Sequence, residues 1–426
     1  MSRSPIITGL DIGSDTIKIL SVRENPKTEE LEVVFFDKIN SSGVQKGRVG
    51  NPKETAEKIS RILEKIPKSQ DRIEQVFVNI NGSKIQIVPN RGLISVSRAD
   101  QKVCQEDIDR ILEETQKNIN LSSNHEVFDI FPKSWILDGE PELKKPLGLQ
   151  GVRLELEAFL LSIFVLDVEN IIEAVTEAGL EVENVLPSPL AASNAVLDRR
   201  QKELGAAVLD IGACTSGLTV YEEGNLMDLA IFPVGSANIT NDIAIGLKTE
   251  IDIAERIKRE FSSCGEEKKT KKNKIEIGVK PVSVNINGYK KSGLEKEEIK
   301  KNYLDFSQKQ VKKIIEARVD EIFELAQKEL KKIGRQELLP AGIVLTGGGV
   351  KLPGIVDVSR KILKLPSRVG YAQGFVGLDK DCSLAAVCGL VIESRKGEPS
   401  RNQFFSGSKG GGPLDRVKKI LKAFVP

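Results

Sequence analysis

Short apolar runs that end in polar turns recur along the chain, and two of them share one pattern. "GLDIGSDTIKILSV" (residues 9–22) and "VLDIGACTSGLTVY" (208–221) each start with an apolar run, continue through Asp-Ile-Gly and a small polar turn, and end in alternating apolar positions. Runs of this length around such a turn predict β-hairpins. The simplest explanation for two matching hairpins is an internal duplication.

Apolar residues at helical spacing occupy residues 308–333, which predicts a long helix that ends at Gly334. The residues that we expect on its buried face are Val311, Ile314, Ile315, Ile322, Phe323 and Leu330. This helix is interpreted as part of the core.

A second helical pattern covers residues 413–426, after a Gly/Ser-rich linker at 396–412. Apolar residues fall on one face and basic residues on the other, and Pro413 suits a first helical position. The segment is too short and too charged to span a bilayer, and the linker gives it a reach of about 20 Å. The pattern is typical of binding to a membrane surface and also of docking on the chain's own domain. The residues that we expect to contact a membrane are Leu414, Val417, Lys418, Ile420, Leu421, Phe424 and Val425.

The composition limits the classes of partner that we expect for the chain. A chain of 426 residues can form two or more cores, and 63 Lys+Arg against 61 Asp+Glu give no overall field that favours nucleic acid. The basic run at 266–274 has no aromatic residue for base stacking, so we interpret it as a solvated loop and expect no nucleic-acid partner. No signal-peptide core or apolar run of membrane-spanning length is present, so a cytoplasmic location is expected.

The composition leaves few residue types that could catalyse a reaction or bind a metal. The five cysteines form no CxxC pair, and the single histidine, His125, excludes a metal site with several imidazoles. It also argues against a Ser-His-Asp triad. Any reaction or binding must therefore depend on carboxylates, backbone amides and lysines.

A third element supports a phosphate site. "AGIVLTGGGVKLPGI" (341–355) predicts a strand that enters a triple-glycine turn and then a helix. Glycine lets backbone N–H groups approach an anion, and an aspartate at a strand end can hold a hydrated divalent cation. Two such hairpins that face each other would hold the phosphates and metal of a nucleotide. Neither GxxxxGK[ST] nor GxGxxG is present.

These three elements, in this order, resemble the actin, Hsp70 and sugar-kinase superfamily. That resemblance implies an α/β fold of the actin-like, ribonuclease-H-like type, with two similar halves around an ATP cleft. Further stretches look like the bacterial cell-division actin homologue FtsA: "VFVNINGSKIQIVPNRGLISVSR", "PLGLQGVRLELEAFLL", "PVGSANITNDIAIGLKTEIDIAERIK" and "IIEARVDEIFELAQKELKKIG". The similarity runs from about residue 6 to 395 and resumes at the terminal helix. It implies a polymer-forming, ATP-binding adaptor that tethers FtsZ, through the FtsZ C-terminal tail, to the anionic inner membrane surface at the division septum.

The resemblance also implies a domain organisation. The first half would comprise residues 1–84, 166–190 and 379–395, and the second 191–239 and 311–378. Residues 85–165 would form an inserted small α+β subdomain that the family uses for self-association and for other division proteins. Residues 240–310 would form a small lobe that receives the FtsZ tail.

Site residues follow by resemblance. Asp11 and Asp210 would hold Mg²⁺ through water. Glu255 and Lys258, one helical turn apart, would contact the ribose and base, although a helical ion pair gives the same spacing. The other implied ATP contacts are Gly13, Ser14, Thr16, Lys18, Gly212, Thr215, Gly235, Gly347, Gly348, Gly349 and Leu352.

Two departures from the family concern hydrolysis. Ala213 and Cys214 replace glycines of many relatives, and Ser188 stands where several relatives have a glutamate that orients water. Because a serine hydroxyl is a feeble base, we expect ATP to be a structural and switching ligand that is hydrolysed very slowly or not at all. Two alternatives remain. A small-molecule kinase of the superfamily would need a catalytic carboxylate that we cannot assign, and a PilM-like type IV pilus adaptor normally lacks the terminal helix.

Overall fold

The computed structural model describes residues 4–67, 72–117, 119–143, 146–264, 272–277 and 302–395. The predicted linker (396–412) and terminal helix (413–426) lie outside these residues. Within the described part, no helix is both long and apolar enough to cross a bilayer.

The chain begins with a three-stranded meander, followed by a small hairpin, a helix and a further strand. Their bounds are β1 Ile6–Ile12, β2 Thr16–Glu24, β3 Leu31–Asn40, β4 Val44–Gln45, β5 Arg48–Val49, α1 Pro52–Leu63 and β6 Gln75–Ile80. Strands β1 to β3 are antiparallel neighbours, and β6 pairs parallel with β1. Helix α1 starts at Pro52, where the Asn51 side chain accepts the Glu54 N–H, and it buries Ile59 and Ile62.

An inserted α+β subdomain follows β6. Its elements are β7 Gln86–Ser95, α2 Gln105–Gln116, β8 His125–Leu137, β9 Glu140–Leu143 and β10 Arg153–Phe164. The antiparallel sheet has the order β7-β10-β8-β9, and α2 packs on β7 and β10. The subdomain has a separate core that includes Ile111, Trp135, Leu154 and Leu160.

The chain then returns to the first sheet and crosses to the second half. The elements are α3 Val165–Glu177, β11 Glu181–Pro187, α4 Ser188–Val196 and α5 Arg199–Leu204. Strand β11 pairs parallel with β6, and the buried helix α4 contacts strands of both halves. A Cβ on Gly217 would lie 2.0 Å from Pro189 Cγ, so glycine is what allows α4 to pack this closely on the second half.

The second half contains the other duplicated sheet and a β-hairpin. Its elements are β12 Ala206–Ile211, β13 Ser216–Glu222, β14 Asn225–Phe232, α6 Ser236–Leu247, α7 Ile251–Phe261, β15 Lys272–Ile277, β16 Asn302–Ser307, α8 Gln308–Lys332, β17 Ile343–Thr346, α9 Ile355–Leu363 and β18 Ser367–Val369. Helix α8 is the long helix predicted from its periodicity, and it buries Val311, Ile315, Phe323 and Leu330.

The last described elements return to the first half. These are β19 Phe375–Val376 and α10 Ala385–Ser394. Strand β19 pairs with β3, and the Leu31 N–H donates to the Gly374 carbonyl at 2.9 Å. Strand β19 therefore lies at the edge of the first sheet. Helix α10 packs on α4 and β1.

The two main sheets share one topology. The orders β3-β2-β1-β6-β11 and β14-β13-β12-β17-β18 each combine an antiparallel meander with two parallel strands. One buried core includes residues of both sheets, such as Leu10 and Val208, and a second core lies within the second half. This repeated order confirms the duplication predicted from the two hairpin motifs, and it places the two Asp-Ile-Gly turns at equivalent positions.

Candidate functional site

The two Asp-Ile-Gly turns are built in the same way. The Gly13 N–H donates to the Thr16 carbonyl at 3.1 Å, and the Gly212 N–H donates to the Thr215 carbonyl at 2.9 Å. A Cβ on Gly13 would lie 2.8 Å from the Thr16 oxygen, and one on Gly212 would lie 3.0 Å from the Thr215 oxygen. Glycine thus allows both tight turns, each of which follows a strand that carries an aspartate near its end.

Asp11 is buried and paired with a lysine. Lys18 lies opposite it in the β1–β2 register, with its Nζ atom 2.7 Å from Asp11 Oδ2. Burial alone would lower the pKa of Lys18, but the charge and hydrogen bond of Asp11 outweigh this and raise the pKa. The ammonium therefore stays charged and compensates part of the negative charge at the site.

Asp210 occupies the matching position in the second half. Burial, and then the charge of Asp11, raise the pKa of Asp210 to about 7, while Lys18 opposes the shift. The two carboxyl groups are thus near enough for the charge of Asp11 to act on Asp210. Oxygen ligands of this kind fit a hydrated Mg²⁺ ion, and a cation between them would favour the ionised form of Asp210.

Asn79 organises the end of β1, a role that was not predicted from the sequence. Its amide nitrogen donates to Asp11 Oδ1 and to Ser188 Oγ, each at 2.8 Å, and its side-chain oxygen accepts the Ile12 N–H at 2.6 Å. Asn79 and Ser188 are each only 3% exposed. The sole sequence signal was a polar residue inside the apolar run "VFVNI".

The β4–β5 hairpin connects the first turn to the second. Ser14 Oγ accepts the Gly47 N–H at 2.9 Å, which connects the first turn to the β4–β5 hairpin. The Asn81 amide, just after β6, donates to Thr215 Oγ1 at 3.0 Å, and a Cβ on Gly47 would lie 3.1 Å from Thr215 Cγ2. Ser14 and Thr215 are thus brought to one place, whereas Thr16 contributes its carbonyl to the first turn.

The three glycines after β17 are needed for different structural reasons. Gly347 has φ +89°, and a Cβ there would lie 2.3 Å from Asp210 Oδ1, while a Cβ on Gly349 would lie 2.5 Å from Ile211 Cγ2. At Gly348 the nearest atom is Ser383 Cβ at 3.9 Å, so the protein itself leaves room for a side chain. Leu352 is buried at the end of this turn. A ligand that approaches the backbone would explain the glycine at 348.

Helix α6 starts on the second turn. The Ser236 N–H donates to the Gly212 carbonyl at 2.9 Å, and a Cβ on Gly235 would lie 2.5 Å from the Ala213 carbonyl. This contact places Gly235 and the first turn of α6 directly against the second Asp-Ile-Gly turn.

Glu255 and Lys258 both lie on α7, where they form an ion pair with each other. Lys258 Nζ lies 2.6 Å from Glu255 Oε2 and donates to Thr240 Oγ1 at 2.8 Å and to the Ser236 carbonyl at 3.2 Å. Although burial acts to raise the pKa of Glu255, hydrogen bonds from Lys258 and Thr240 lower it overall. The two residues thus form a partly buried ion pair that is anchored to α6.

The described residues contain no group of three or more His, Cys, Asp or Glu side chains that could hold a metal ion. A divalent cation at Asp11 and Asp210 would therefore need water or phosphate oxygens to complete its coordination. The water-mediated Mg²⁺ site at these two aspartates stays a prediction.

Structural comparison identifies the fold. The PilM–PilN type IV pilus biogenesis complex superposes with a TM-score of 0.63 at 16% identity, covering 91% of this chain and 98% of that one. MreB5 of Spiroplasma citri bound to ADP gives 0.53 at 12% identity (95% and 99% covered), and the MamK double helical filament gives 0.52 at 11% (92% and 98%). The predicted actin-like fold is confirmed.

Sequence comparison is more specific. The family model of cell division protein FtsA matches residues 207–389, and that of the SHS2 domain inserted in FtsA matches residues 82–162. Cell division protein FtsA of Pseudomonas aeruginosa is 31% identical over 381 residues, covering 88% of this chain and 84% of the relative. The protein of the same name from Neisseria meningitidis is 30% identical over 427 residues, covering 98% of both. The chain therefore belongs to the cell division protein FtsA family.

Proposed function

We propose that this cell-division protein binds Mg-ATP between its two halves, assembles into filaments, and tethers FtsZ to the cytoplasmic face of the membrane at the septum. The observation that carries the nucleotide site is the pair Asp11 and Asp210, which lie at equivalent ends of two duplicated hairpins. Two matched carboxylates beside glycine turns provide for a cation and for phosphates at one place.

The residues around this pair would each bind a different part of the nucleotide or its cation. The N–H groups of the two turns and the Lys18 ammonium would face phosphates, and the two aspartates would orient the hydrated cation. Gly348, where a Cβ would meet nothing closer than 3.9 Å, would give the nucleoside access to the backbone. Glu255 and Lys258 would contact the ribose and base. Each of them would then give up part of the ion pair that joins them in this structure.

Hydrolysis would be slow. Ser188 is buried and bound to Asn79 at the position where several relatives carry a glutamate, so no carboxylate is available there to orient an attacking water. We expect a steady-state ATPase rate below about 1 s⁻¹, the low end of ordinary enzyme turnover. A higher rate, or ATP consumption that depends on a small-molecule substrate, would favour the kinase alternative.

The partners are proposed from the family. Residues 413–426 would bind anionic lipid through the apolar and basic faces predicted from the sequence. Residues 240–310 would receive the FtsZ tail, and the inserted subdomain would contact neighbouring copies and other division proteins. One tail binds reversibly, whereas tails arrayed along a filament would gain avidity by about 10² or more.

Co-pelleting with anionic vesicles tests the proposal as a whole. The full chain and a chain that ends at Lys396 would each be measured with and without Mg-ATP. We expect only the full chain to pellet, and Mg-ATP to increase the pelleted fraction. If both chains stay in the supernatant under every condition, the membrane role is wrong, and a soluble adaptor of the PilM type becomes the better hypothesis.

A further inference from the structure

A groove of about 510 Å³ lies beside the segment that returns from the second half to the first. Tyr371, Phe375 and Leu378 provide apolar lining, and the charged residues of the lining are Arg368, Asp379, Lys380 and Asp381. The Lys380 ammonium lies 4.9 Å from the centre of the Tyr371 ring, and Asp379 is exposed. None of the predicted nucleotide contacts lines this groove. It is therefore available for a different occupant.

The described chain ends next to this groove. The guanidinium of Arg395 donates to the Glu29 carbonyl at 2.9 Å and to Glu24 Oε1 at 2.5 Å. Leu31, two residues beyond Glu29 and so at most about 7 Å away, pairs with Phe375 in the β3–β19 register. The segment that follows Arg395 thus starts close to the apolar lining.

The predicted terminal segment suits the groove in reach and in chemistry. The linker spans about 20 Å as a random coil, which is comparable to the path from Arg395 through Glu29 and Leu31 to Phe375. Residues 413–426 combine large apolar side chains with Arg416, Lys418, Lys419 and Lys422. Exposed Glu29, Glu30 and Glu32 lie between the exit point and the groove, so the basic face would meet acidic residues while apolar side chains enter the groove.

We propose that residues 413–426 dock in this groove in the absence of a membrane and must leave it to bind lipid. This inference rests on the proposed membrane role of the segment. The same apolar side chains cannot be buried in both places, so docking competes with lipid. A docked tail would keep the monomer in solution, and an array of tails on a filament would shift the competition toward the membrane.

Docking is tested first without lipid. A benzophenone amino acid at position 424 of the full chain is photoactivated, and the crosslinked peptides are mapped by mass spectrometry. We expect intramolecular crosslinks to residues 371–379 that disappear when phosphatidylglycerol vesicles are added. The absence of crosslinks, or crosslinks spread over the surface, would overturn the proposal.

The competition is tested by vesicle pelleting of three full-length variants. Leu378→Asp and Asp379→Lys should increase the vesicle-bound fraction at limiting lipid by about fivefold, the factor expected if the tail is docked about four-fifths of the time. Glu57→Lys, at an exposed position of α1, adds the same charge as Asp379→Lys and should leave binding near the wild-type level. Asp379 is exposed, so its variant remains informative if Leu378→Asp misfolds.

The two hypotheses fail in different ways. If the crosslink forms but neither the wild type nor any variant pellets, docking stands and the proposed membrane role is wrong. If wild type and variants pellet equally and no crosslink reaches the groove, the membrane role stands and docking is wrong. Equal pelleting despite the crosslink would overturn the competition.

Discussion

The Asn79 amide nitrogen donates to Asp11 Oδ1 at 2.8 Å, while the Asn79 side-chain oxygen accepts the N–H of Ile12 at 2.6 Å. One side chain thus holds both the carboxylate and the backbone at the point where β1 enters its turn. A buried amide with all these groups satisfied fixes the orientation of Asp11 before any ligand arrives. Asn79 is therefore a positioning residue for the proposed cation site.

Replacing Asn79 by leucine should show whether this residue positions Asp11 for the ligand or only stabilises the fold. Asn79→Leu leaves the buried Ile12 N–H and Asp11 without this partner, which should cost about 1–3 kcal/mol in the free energy of unfolding. We also expect Mg-ATP affinity to fall by about tenfold or more, equivalent to about 1.4 kcal/mol. Urea denaturation and calorimetric titration measure the two effects.

Asn194→Leu provides the matched control. The Asn194 amide donates to Glu393 at 2.7 Å, away from the two turns. This variant should lose stability without a comparable loss of nucleotide affinity. Equal losses of affinity in both variants would show that Asn79 acts only through the fold.

Replacement by alanine should have different effects at the adjacent glycines Gly347 and Gly348. Gly347→Ala would place a Cβ 2.3 Å from Asp210 Oδ1 at φ +89°, so we expect a large drop in the melting temperature. Gly348→Ala meets no close neighbour and should melt near the wild type but bind nucleotide more weakly. Wild-type affinity in a folded Gly348→Ala protein would contradict the proposed approach of the nucleoside.

Stability should fall with rising pH because of Asp210. Its pKa is raised from 3.8 to about 7 by burial and by Asp11, so between these values the folded state binds more protons than the unfolded state. The contribution is fully present below pH 3.8 and is lost as pH rises through about 7. Asp210→Asn cannot ionise, so its advantage in melting temperature over the wild type should grow from pH 5 to pH 7 and level off above pH 8. Parallel pH profiles for the two proteins would refute the assignment.

Cys214 should report on the phosphate site through its reactivity. Cys214 and Cys104 are partly exposed, whereas Cys264, Cys382 and Cys388 are buried and burial raises the pKa of each of these three thiols. At a Mg-ATP concentration of about ten times Kd, maleimide labelling of Cys214 should slow by about tenfold. Cys104, in the inserted subdomain, should keep its rate and serves as the internal standard. Unchanged labelling of Cys214 would place the nucleotide elsewhere.

The sequence predicted what depends on local patterns and missed what depends on strand order. Asp11 and Asp210 could be paired because each lies in a self-contained hairpin whose residues are contiguous. Asn79 reaches Asp11 only because β6 pairs parallel with β1, and the sequence does not specify that neighbour. For Glu255 and Lys258 the spacing left a ligand contact and an ion pair open. The structure shows the ion pair and adds Thr240, which sits on a different helix.

The contact between α4 and α10 has a mechanical consequence. A Cβ on Gly389 would lie 1.7 Å from the Ala191 carbonyl, so the two helix backbones touch, and α4 also packs on the second half through Pro189. Parts packed this closely can rotate against each other far more easily than they can separate. Because α4 contacts both halves beside the site, we expect a nucleotide there to change the angle between the halves rather than their separation. Nucleotide occupancy would then alter the surfaces through which copies of the chain and other proteins would attach.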